Sequence, residues 1–180
     1  MKLVILDRDG VINYDSAQFI KNPEEWIPIP GSLEAIALLN QAGFRVALAT
    51  NQSGISRGLF DMATLNAIHD KMHRTLAQFG GRIDALFYCP HTADAGCDCR
   101  KPRAGMMEEI GRRFATDLEG VPSVGDSLRD LQASVAVGAQ PILVLTGKGE
   151  RTFAAGNFPE NTWVCADLME AAQRIIDEMA

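Results

Sequence analysis

Short apolar runs that stop abruptly at a polar residue recur along this chain, and amphipathic stretches separate them. The runs predict strands at Lys2–Leu6, Arg45–Ala49, Ala85–Tyr88, Val121–Val124 and Pro141–Leu145, with a short edge strand at Thr162–Cys165. The stretches between them predict helices from Ser32 to about Ala42, from Asp61 to near Gly80, at Gly105–Phe114, at Ser127–Val137 and from Leu168 onward. This alternation predicts an α/β fold, a Rossmann-like parallel sheet with helices on both faces.

Polar residues close four of the predicted strands. Asp7, Thr50, Cys89 and Asp126 each follow or end an apolar run. Because ligands of such sheets bind outside the carboxyl ends of the strands, we expect these four residues to converge on one rim.

The length of 180 residues is that of one domain, so we expect residues 1–180 to form a single domain. The segment between Gly10 and Gly31 is too short to hold a large cap domain. The site must therefore be closed by short loops.

The charge balance excludes several function classes. A net charge of -6 argues against a general nucleic-acid or anionic-membrane surface, although a local basic pocket can still bind an anionic substrate. The segment Met1–Asp7 does not resemble a signal peptide, and no apolar run reaches membrane-spanning length. We expect a cytoplasmic monomer with no nucleic-acid or membrane partner.

Two carboxylates follow the first predicted strand. Asp7 and Asp9 are two residues apart, so both face the same cleft in an extended segment, and Gly10 permits a sharp turn after them. Clustered carboxylates repel one another and require a cation or a shared proton, and Mg²⁺ prefers oxygen ligands. Taken alone, the pair is equally compatible with a solvated loop.

Residues at the other strand ends supply the remaining parts of a phosphoryl-transfer site. Asp126 can complete a cation site, whereas Asp130 is either a supporting group or a helix-surface acid. The segment 50–54 offers hydroxyl and amide donors, and Arg100 and Lys101 supply positive charge. A nucleophile, an acid/base, a metal and phosphate-binding donors are thereby all represented.

Three of the four cysteines lie within the segment 89–99. With one histidine they form a possible tetrahedral set for structural Zn²⁺, namely Cys89, His91, Cys97 and Cys99. The alternatives are unligated thiols or a disulfide, and a reducing cytosol disfavours the disulfide. Since Arg100 and Lys101 follow directly, a zinc-bound loop would fix two cations at the edge of the site.

The ordered set of these residues resembles the four motifs of the haloacid dehalogenase superfamily. The matching positions are Asp7-Arg8-Asp9-Gly10, Thr50, Lys101 and Gly125-Asp126. The resemblance spans residues 7 to about 130, and the acid at Asp9 favours the phosphatases of the superfamily over its dehalogenases.

This resemblance implies a role for each residue. Asp7 would attack phosphorus, and Asp9 would protonate the leaving oxygen and then activate water. Thr50 and Lys101 would hold the transferring phosphoryl group. Mg²⁺ would be bound by Asp7, the Asp9 carbonyl and Asp126.

Two longer runs narrow the resemblance. The cysteine loop through Lys101-Pro102 and the segment Thr50–Gly58 resemble the D-glycero-D-manno-heptose 1,7-bisphosphate phosphatase family. That family removes the 7-phosphate in nucleotide-activated heptose synthesis for lipopolysaccharide. The histidinol-phosphate phosphatase subgroup is similar and remains the alternative. An alternative of another class is a zinc-stabilised binding module without catalysis, against which the intact acidic set argues.

The family reading also predicts substrate contacts. The predicted substrate-binding residues are Asp15, Asn51, Gln52, Ser53, Arg57 and Arg100. Ala17 and Gln18 depart from the usual glycine and tyrosine of the family, and Ser127 stands where lysine is frequent.

Several other polar residues are not assigned to the site. His69 and His73, four apart on a predicted helix, are interpreted as packing or surface residues. Arg103 and Lys148, like Arg57 and Arg100, are candidates for binding a second phosphate, but these two are interpreted as surface charge.

Overall fold

Six parallel strands form one sheet in the computed structural model, which describes residues 1–179. Ala180, the last residue of the predicted domain, lies outside the described residues. The strands are β1 (Leu3–Leu6), β2 (Arg45–Asn51), β3 (Ala85–Cys89), β4 (Pro122–Gly125), β5 (Gln140–Val144) and β6 (Trp163–Cys165). Their order across the sheet is β3-β2-β1-β4-β5-β6, so β1 lies in the middle between β2 and β4.

Helices cover both faces of the sheet. They are α1 (Ser32–Gln41), α2 (Met62–Gln78), α3 (Gly105–Phe114), α4 (Leu128–Ala136), α5 (Gly149–Ala155) and α6 (Leu168–Met179). Two short 3₁₀ turns lie at Pro23–Glu25 and Ala93–Ala95. The predicted Rossmann-like architecture is thereby confirmed, and no part of residues 1–179 forms a large cap.

The core consists of two apolar layers that hold the sheet rigid. On one face α1, α2 and α6 contribute fully buried residues such as Ile36, Ile68 and Ile175. On the other face α3 and α4 contribute Ile110 and Ala133. No helix among residues 1–179 has both the length and the apolar character needed to cross a membrane.

Sequence and structure differ at some element boundaries. Strand β2 continues to Asn51, two residues past its predicted end, and helix α5 was not predicted because it is short. Ser32 has the side chain of a typical helix cap but is itself the first residue of α1. Gly31 occupies the capping position with φ 88°, while the Ser32 hydroxyl donates to the Val11 carbonyl at 2.8 Å.

The site lies where the strand order reverses, between the carboxyl ends of β1 and β4. Both strands leave the sheet at the same edge, where the Asp7 N–H donates to the Val124 carbonyl at 3.0 Å. Leu6 is in register with Leu48 on one side and with Val124 on the other. Asp7, Thr50 and Asp126 therefore lie at one rim.

Candidate active site and metal centres

An acidic cluster with one buried ammonium forms the floor of the site. Asp7, Asp126 and Asp130 each offer a carboxylate oxygen, and these oxygens lie within 4.8 Å of one another. The Lys101 Nζ lies 2.6 Å from Asp130 Oδ1 and 3.2 Å from Asp7 Oδ1, and it donates to the Ala49 carbonyl at 2.8 Å. The structure thus brings together residues that are distant in the sequence.

Three carboxylates face a single cation in this cluster. Burial and the neighbouring Asp130 carboxylate raise the pKa of Asp7 well above its ordinary value, and the same two causes raise the pKa of Asp126 to about 7. Burial opposes the charge of Lys101, but Asp130 and Asp7 outweigh it and raise the pKa of Lys101. The floor therefore has an excess of negative charge that a divalent cation would neutralise.

The donor set fits Mg²⁺, with Asp130 in a supporting position. Asp130 Oδ1 is bound to Lys101, and its Oδ2 accepts hydrogen bonds from the Asp126 N–H at 3.1 Å and the Ser127 N–H at 3.2 Å. The remaining hard oxygen donors of the cluster are the carboxylates of Asp7 and Asp126, and the Asp9 carbonyl is the third ligand that the family resemblance implies. Asp130, which the sequence left open, is a buried supporting group.

Glycine makes the close packing around Asp126 possible. Gly10 has φ 85°, and a Cβ built there would collide with the Asp126 carboxylate. Gly147 approaches the same carboxylate, while the Lys148 N–H donates to Asp126 Oδ2 at 2.9 Å. Asp126 is thereby fixed in orientation.

Asp9 is held by several donors beside this floor. Its Oδ1 accepts from Arg8 Nε and from Asn13 Nδ2, both at 2.9 Å, and its Oδ2 accepts from Gln52 Nε2 at 3.2 Å. Burial opposes ionisation, but the Arg8 guanidinium and these hydrogen bonds outweigh it and lower the pKa of Asp9. In the resting site Asp9 is a fixed carboxylate.

The last two residues of β2 and Gln52, which follows them, support the floor from one side. Gln52 Nε2 also donates to Thr50 Oγ1 at 2.9 Å, and both residues are buried. Asn51 binds the backbone of Lys101 reciprocally: its Nδ2 donates to the Lys101 carbonyl at 3.2 Å, and its Oδ1 accepts from the Lys101 N–H at 3.1 Å. Asn51, predicted to contact substrate, therefore also positions Lys101.

A cavity of about 270 Å³ opens above the acidic floor. It is lined by Asp7, Asp9, Thr50, Lys101 and Asp126. Five of the six predicted substrate contacts also line it, namely Asp15, Asn51, Ser53, Arg57 and Arg100. Gln52 lies beneath this surface and acts through its neighbours.

Two further cations belong to the cavity, of which Arg129 was not predicted and Lys148 was predicted to be surface charge rather than a phosphate ligand. Arg129 and Lys148 both line it, and Lys148 Nζ lies 3.6 Å from Asp15 Oδ2. Burial and the Arg129 guanidinium lower the pKa of Arg100, which shows how closely the positive charges are grouped. Lys148 is therefore not the plain surface charge that the sequence suggested. Arg129 lies in the first turn of α4, and the sequence does not show whether a side chain there points into the cavity or into solvent.

The cysteine loop forms a second possible metal centre. Cys89 Sγ lies 3.7 Å from Cys97 Sγ and 3.5 Å from His91 Nδ1, and His91 Nδ1 lies 3.3 Å from Cys99 Sγ. In tetrahedral zinc sites with bonds of about 2.3 Å to sulfur, neighbouring ligand atoms are about 3.5–3.8 Å apart. Cys99 Sγ lies 2.7 Å from Cys89 Sγ, which is closer than in a zinc site, so binding of the ion would move these two sulfur atoms apart. The residue types and the grouping of the four ligand atoms within 4.8 Å suit Zn²⁺, and all four cysteines of the chain are free thiols.

Hydrogen bonds connect this loop to the cationic side of the cavity. Arg100 Nη1 donates to the His91 carbonyl at 3.2 Å, and Arg103 donates to the Cys97 carbonyl. Gly105 N–H donates to the Asp98 carbonyl at 2.9 Å. The loop thus determines where Arg100 and Lys101 enter the site.

Loss of the predicted zinc should therefore weaken substrate binding as well as the loop. We expect one zinc per chain by elemental analysis, and we expect Cys99→Ser to lose it and to lower kcat/KM by about 10-fold or more. Cys165→Ala, at a buried thiol remote from the loop, should keep its zinc. A Cys99→Ser protein with native kcat/KM would contradict this role of the loop.

Comparison with known proteins also finds phosphatases of this kind. A family model described as polynucleotide kinase 3 phosphatase matches residues 2–131, and one described as HAD-hydrolase-like matches residues 98–171. A D-glycero-beta-D-manno-heptose-1,7-bisphosphate 7-phosphatase of Bordetella bronchiseptica is 62% identical, with 99% of each chain covered. The enzyme of that name from Pseudomonas putida is 56% identical, with 98% of this chain and 100% of the relative covered.

Solved structures are also similar. The D,D-heptose 1,7-bisphosphate phosphatase of B. bronchiseptica, complexed with magnesium and phosphate, superposes with a TM-score of 0.97 at 62% identity over 99% of both chains. That of Burkholderia thailandensis gives a TM-score of 0.79 at 56% identity, over 98% of this chain and 99% of the other.

A parallel sheet with a carboxylate cluster at the switch between β1 and β4 is the architecture of a haloacid dehalogenase-type phosphatase. At these levels of identity and coverage the assignment becomes narrower. The chain belongs to the D-glycero-D-manno-heptose-1,7-bisphosphate 7-phosphatase family of that superfamily.

Proposed function

We propose that this enzyme hydrolyses the 7-phosphate of D-glycero-D-manno-heptose 1,7-bisphosphate through an aspartyl phosphate on Asp7. The observation that carries the proposal is the meeting of Asp7, Lys101 and Asp126 at the floor of the cavity, in a chain 62% identical to a phosphatase of that name. Residues 1–180 would act as one catalytic domain, with residues 89–99 as its zinc loop.

The first chemical step forms a bond between an Asp7 carboxylate oxygen and phosphorus. The bond between phosphorus and the sugar oxygen breaks, and Asp9 donates a proton to that oxygen, so the sugar leaves as an alcohol. Asp9 is ionised in the resting site, and the negative charge of an arriving phosphate favours its protonation.

The second step returns Asp7 to its starting state. Asp9, now a carboxylate, takes a proton from a water molecule that attacks phosphorus, and the Asp7–phosphorus bond breaks. Thr50 and Lys101 hold the phosphoryl oxygens in both steps, since they line the cavity beside Asp7. Inorganic phosphate is then released.

A divalent cation is required because a carboxylate attacks an anion. Two unit charges about 4 Å apart repel by several kcal/mol at an effective dielectric near 20. Mg²⁺, held by Asp7, the Asp9 carbonyl and Asp126, would supply the positive charge that offsets this repulsion. Lys101 adds to it with an ammonium that stays protonated at neutral pH.

The outer part of the cavity matches a substrate with a second phosphate. Arg57, Arg100 and Arg129 line it together and offer guanidinium groups that bind phosphate in a bidentate manner. Asp15, next to Lys148, offers acceptors for sugar hydroxyl groups. Ser53, whose hydroxyl accepts from Arg57 Nε at 3.3 Å, helps to orient that arginine.

The cellular setting follows from the chemistry of the substrate. Removing the 7-phosphate leaves a sugar 1-phosphate, which can be activated with a nucleotide, so the enzyme would serve nucleotide-activated heptose and lipopolysaccharide core synthesis. We propose that it acts as a monomer in the cytoplasm, on a small phosphorylated sugar and without nucleic-acid or membrane partners.

The proposal is tested by following phosphate release with phosphorus NMR, which distinguishes loss of the 7-phosphate from loss of the 1-phosphate. We expect loss of the 7-phosphate with Mg²⁺, and a kcat/KM at least ~10-fold above that for histidinol phosphate, because the guanidinium groups have no second phosphate to bind in that compound. Equal or reversed preference would favour the histidinol-phosphate alternative.

A further inference from the structure

We propose that His69 is a positioning residue for the acid/base Asp9, and that it acts through the buried guanidinium of Arg8. The inference rests on the proposed function because it assigns a role within that reaction. His69 belongs to α2 and is 61 residues away from Arg8 in the sequence, yet the two side chains are in direct contact.

The contact is part of a chain of three groups, of which Arg8 and His69 are buried and Asp9 is partly exposed to the cavity. Arg8 is fully buried, and its Nε and Nη2 each lie 2.9 Å from Asp9 Oδ1. Its Nη1 lies 3.1 Å from His69 Nε2, and His69 is only 6% exposed. One edge of the Arg8 guanidinium thus holds the Asp9 carboxylate, and the Nη1 group at the other edge is held by His69 of α2.

Hydrogen-bond chemistry fixes the direction of this chain. A guanidinium has donors only, so His69 Nε2 must accept from Arg8 Nη1, and the ring proton then resides on Nδ1. Burial and the Arg8 guanidinium lower the pKa of His69 to about 3, which keeps the imidazole a neutral acceptor. His69 therefore supplies the acceptor that a buried guanidinium needs on the side away from Asp9.

The chain distinguishes the two oxygens of Asp9. Oδ1 accepts hydrogen bonds from Arg8 Nε and Asn13 Nδ2. Among the described residues, Oδ2 accepts one only from Gln52 Nε2, at 3.2 Å. A carboxyl proton resides on the oxygen with fewer donors, which here is Oδ2. Oδ2 is thus the oxygen that gives its proton to the leaving group and later takes one from water.

Removing the acceptor should therefore change catalysis more than folding. Without His69 the Nη1 group of Arg8 has no partner in a dry environment, and the fork can turn away from Asp9 to find one. Asp9 would then no longer be fixed in the geometry for proton transfer. Proton transfer by a positioned side chain contributes about 10²–10⁴-fold to rates, so partial misplacement should cost about 10–100-fold.

Leaving-group chemistry separates this role from a structural one. A sugar phosphate leaves as an alkoxide that needs a proton, whereas p-nitrophenyl phosphate leaves as a stable phenolate that does not. The experiment compares kcat/KM for both substrates, since this parameter includes loss of the leaving group and excludes the later hydrolysis step. The variants are His69→Leu, which lacks an acceptor, and His69→Gln, whose amide oxygen can replace Nε2.

We expect His69→Leu to lower kcat/KM about 10–100-fold for the sugar bisphosphate but less than ~3-fold for p-nitrophenyl phosphate. His69→Gln should recover the sugar activity to within ~3-fold. His73→Leu, at an exposed position on the same helix, should leave both values unchanged. The ratio of the two kcat/KM values, for the sugar bisphosphate and for p-nitrophenyl phosphate, is also measured for Asp9→Asn, which shows its value when the acid is lost completely.

An equal decrease for both substrates, or no decrease, would overturn the inference. If His69→Leu does not fold, His69→Asn, whose shorter side chain does not reach Arg8, is judged by the same ratio. The proposed function fails separately if the native enzyme releases no 7-phosphate. The ratio is then measured with another alkyl phosphate that the enzyme hydrolyses.

Discussion

Asp7→Asn should reduce turnover by at least ~10³-fold, because an amide cannot form the aspartyl phosphate. The substitution keeps the size of the side chain and the oxygen that accepts from the Arg8 N–H at 2.8 Å, so the site should stay assembled. Steady-state phosphate release with saturating Mg²⁺ measures the loss. Mass analysis of acid-quenched native enzyme should reveal a phosphorylated protein that the variant lacks.

Stability provides the control for this prediction. Burial and Asp130 raise the folded-state pKa of Asp7, so its contribution to stability is present below the unfolded pKa and is lost as the pH rises through the folded value. An asparagine does not ionise, so Asp7→Asn does not lose this stability as the pH rises. Without metal the variant should therefore be at least as stable as the native protein at neutral pH. Asp70→Asn, at an exposed acid of α2, should change neither property. Turnover of the Asp7→Asn protein within ~3-fold of native would exclude the covalent mechanism.

Lys101→Met should impair both folding and catalysis. Lys101 is 4% exposed and its ammonium lies between Asp7 and Asp130, so its removal leaves a buried and a largely buried carboxylate without their cation. Breaking a buried ion pair from one side costs about 3–5 kcal/mol of unfolding free energy. We also expect kcat/KM to fall by ~10²-fold or more, since the phosphoryl group loses a charged donor.

Denaturant titrations with and without Mg²⁺ test this prediction. The cation should restore part of the lost stability, because it would offset the same excess of negative charge. Lys21→Met is the matched control, since it removes a partly exposed ion pair with Glu25 worth about 0.5 kcal/mol. A Lys101→Met protein with native stability and rate would mean that this ion pair does not support the site.

The sequence was sufficient to predict the sheet and the residues at its rim. Strands of four to seven residues buried on both faces read as continuous apolar runs, and the polar residue after each run marks its carboxyl end. Parallel pairing then places Asp7, Thr50 and Asp126 side by side. The dense Cys/His spacing of residues 89–99 likewise predicted a cluster that the fold brings together.

Side-chain direction was not accessible in the same way. Arg8, between two aspartates, has the appearance of a solvated cation, yet it is fully buried against His69. Arg129 and Lys148 enter the cavity because of how α4 and the segment before α5 pack on the sheet. Such contacts depend on tertiary structure, for which no local pattern exists.

The carboxylate of Asp130 binds both the start of α4 and the ammonium of Lys101. It closes the first turn of α4 by accepting from the N–H groups of Asp126 and Ser127, and it also holds the ammonium of Lys101. Any event that pulls Lys101 toward a phosphate therefore relaxes the start of a helix. The amide signals of Asp126 and Ser127 should shift, and exchange with deuterium at a different rate, as the enzyme passes through its catalytic cycle.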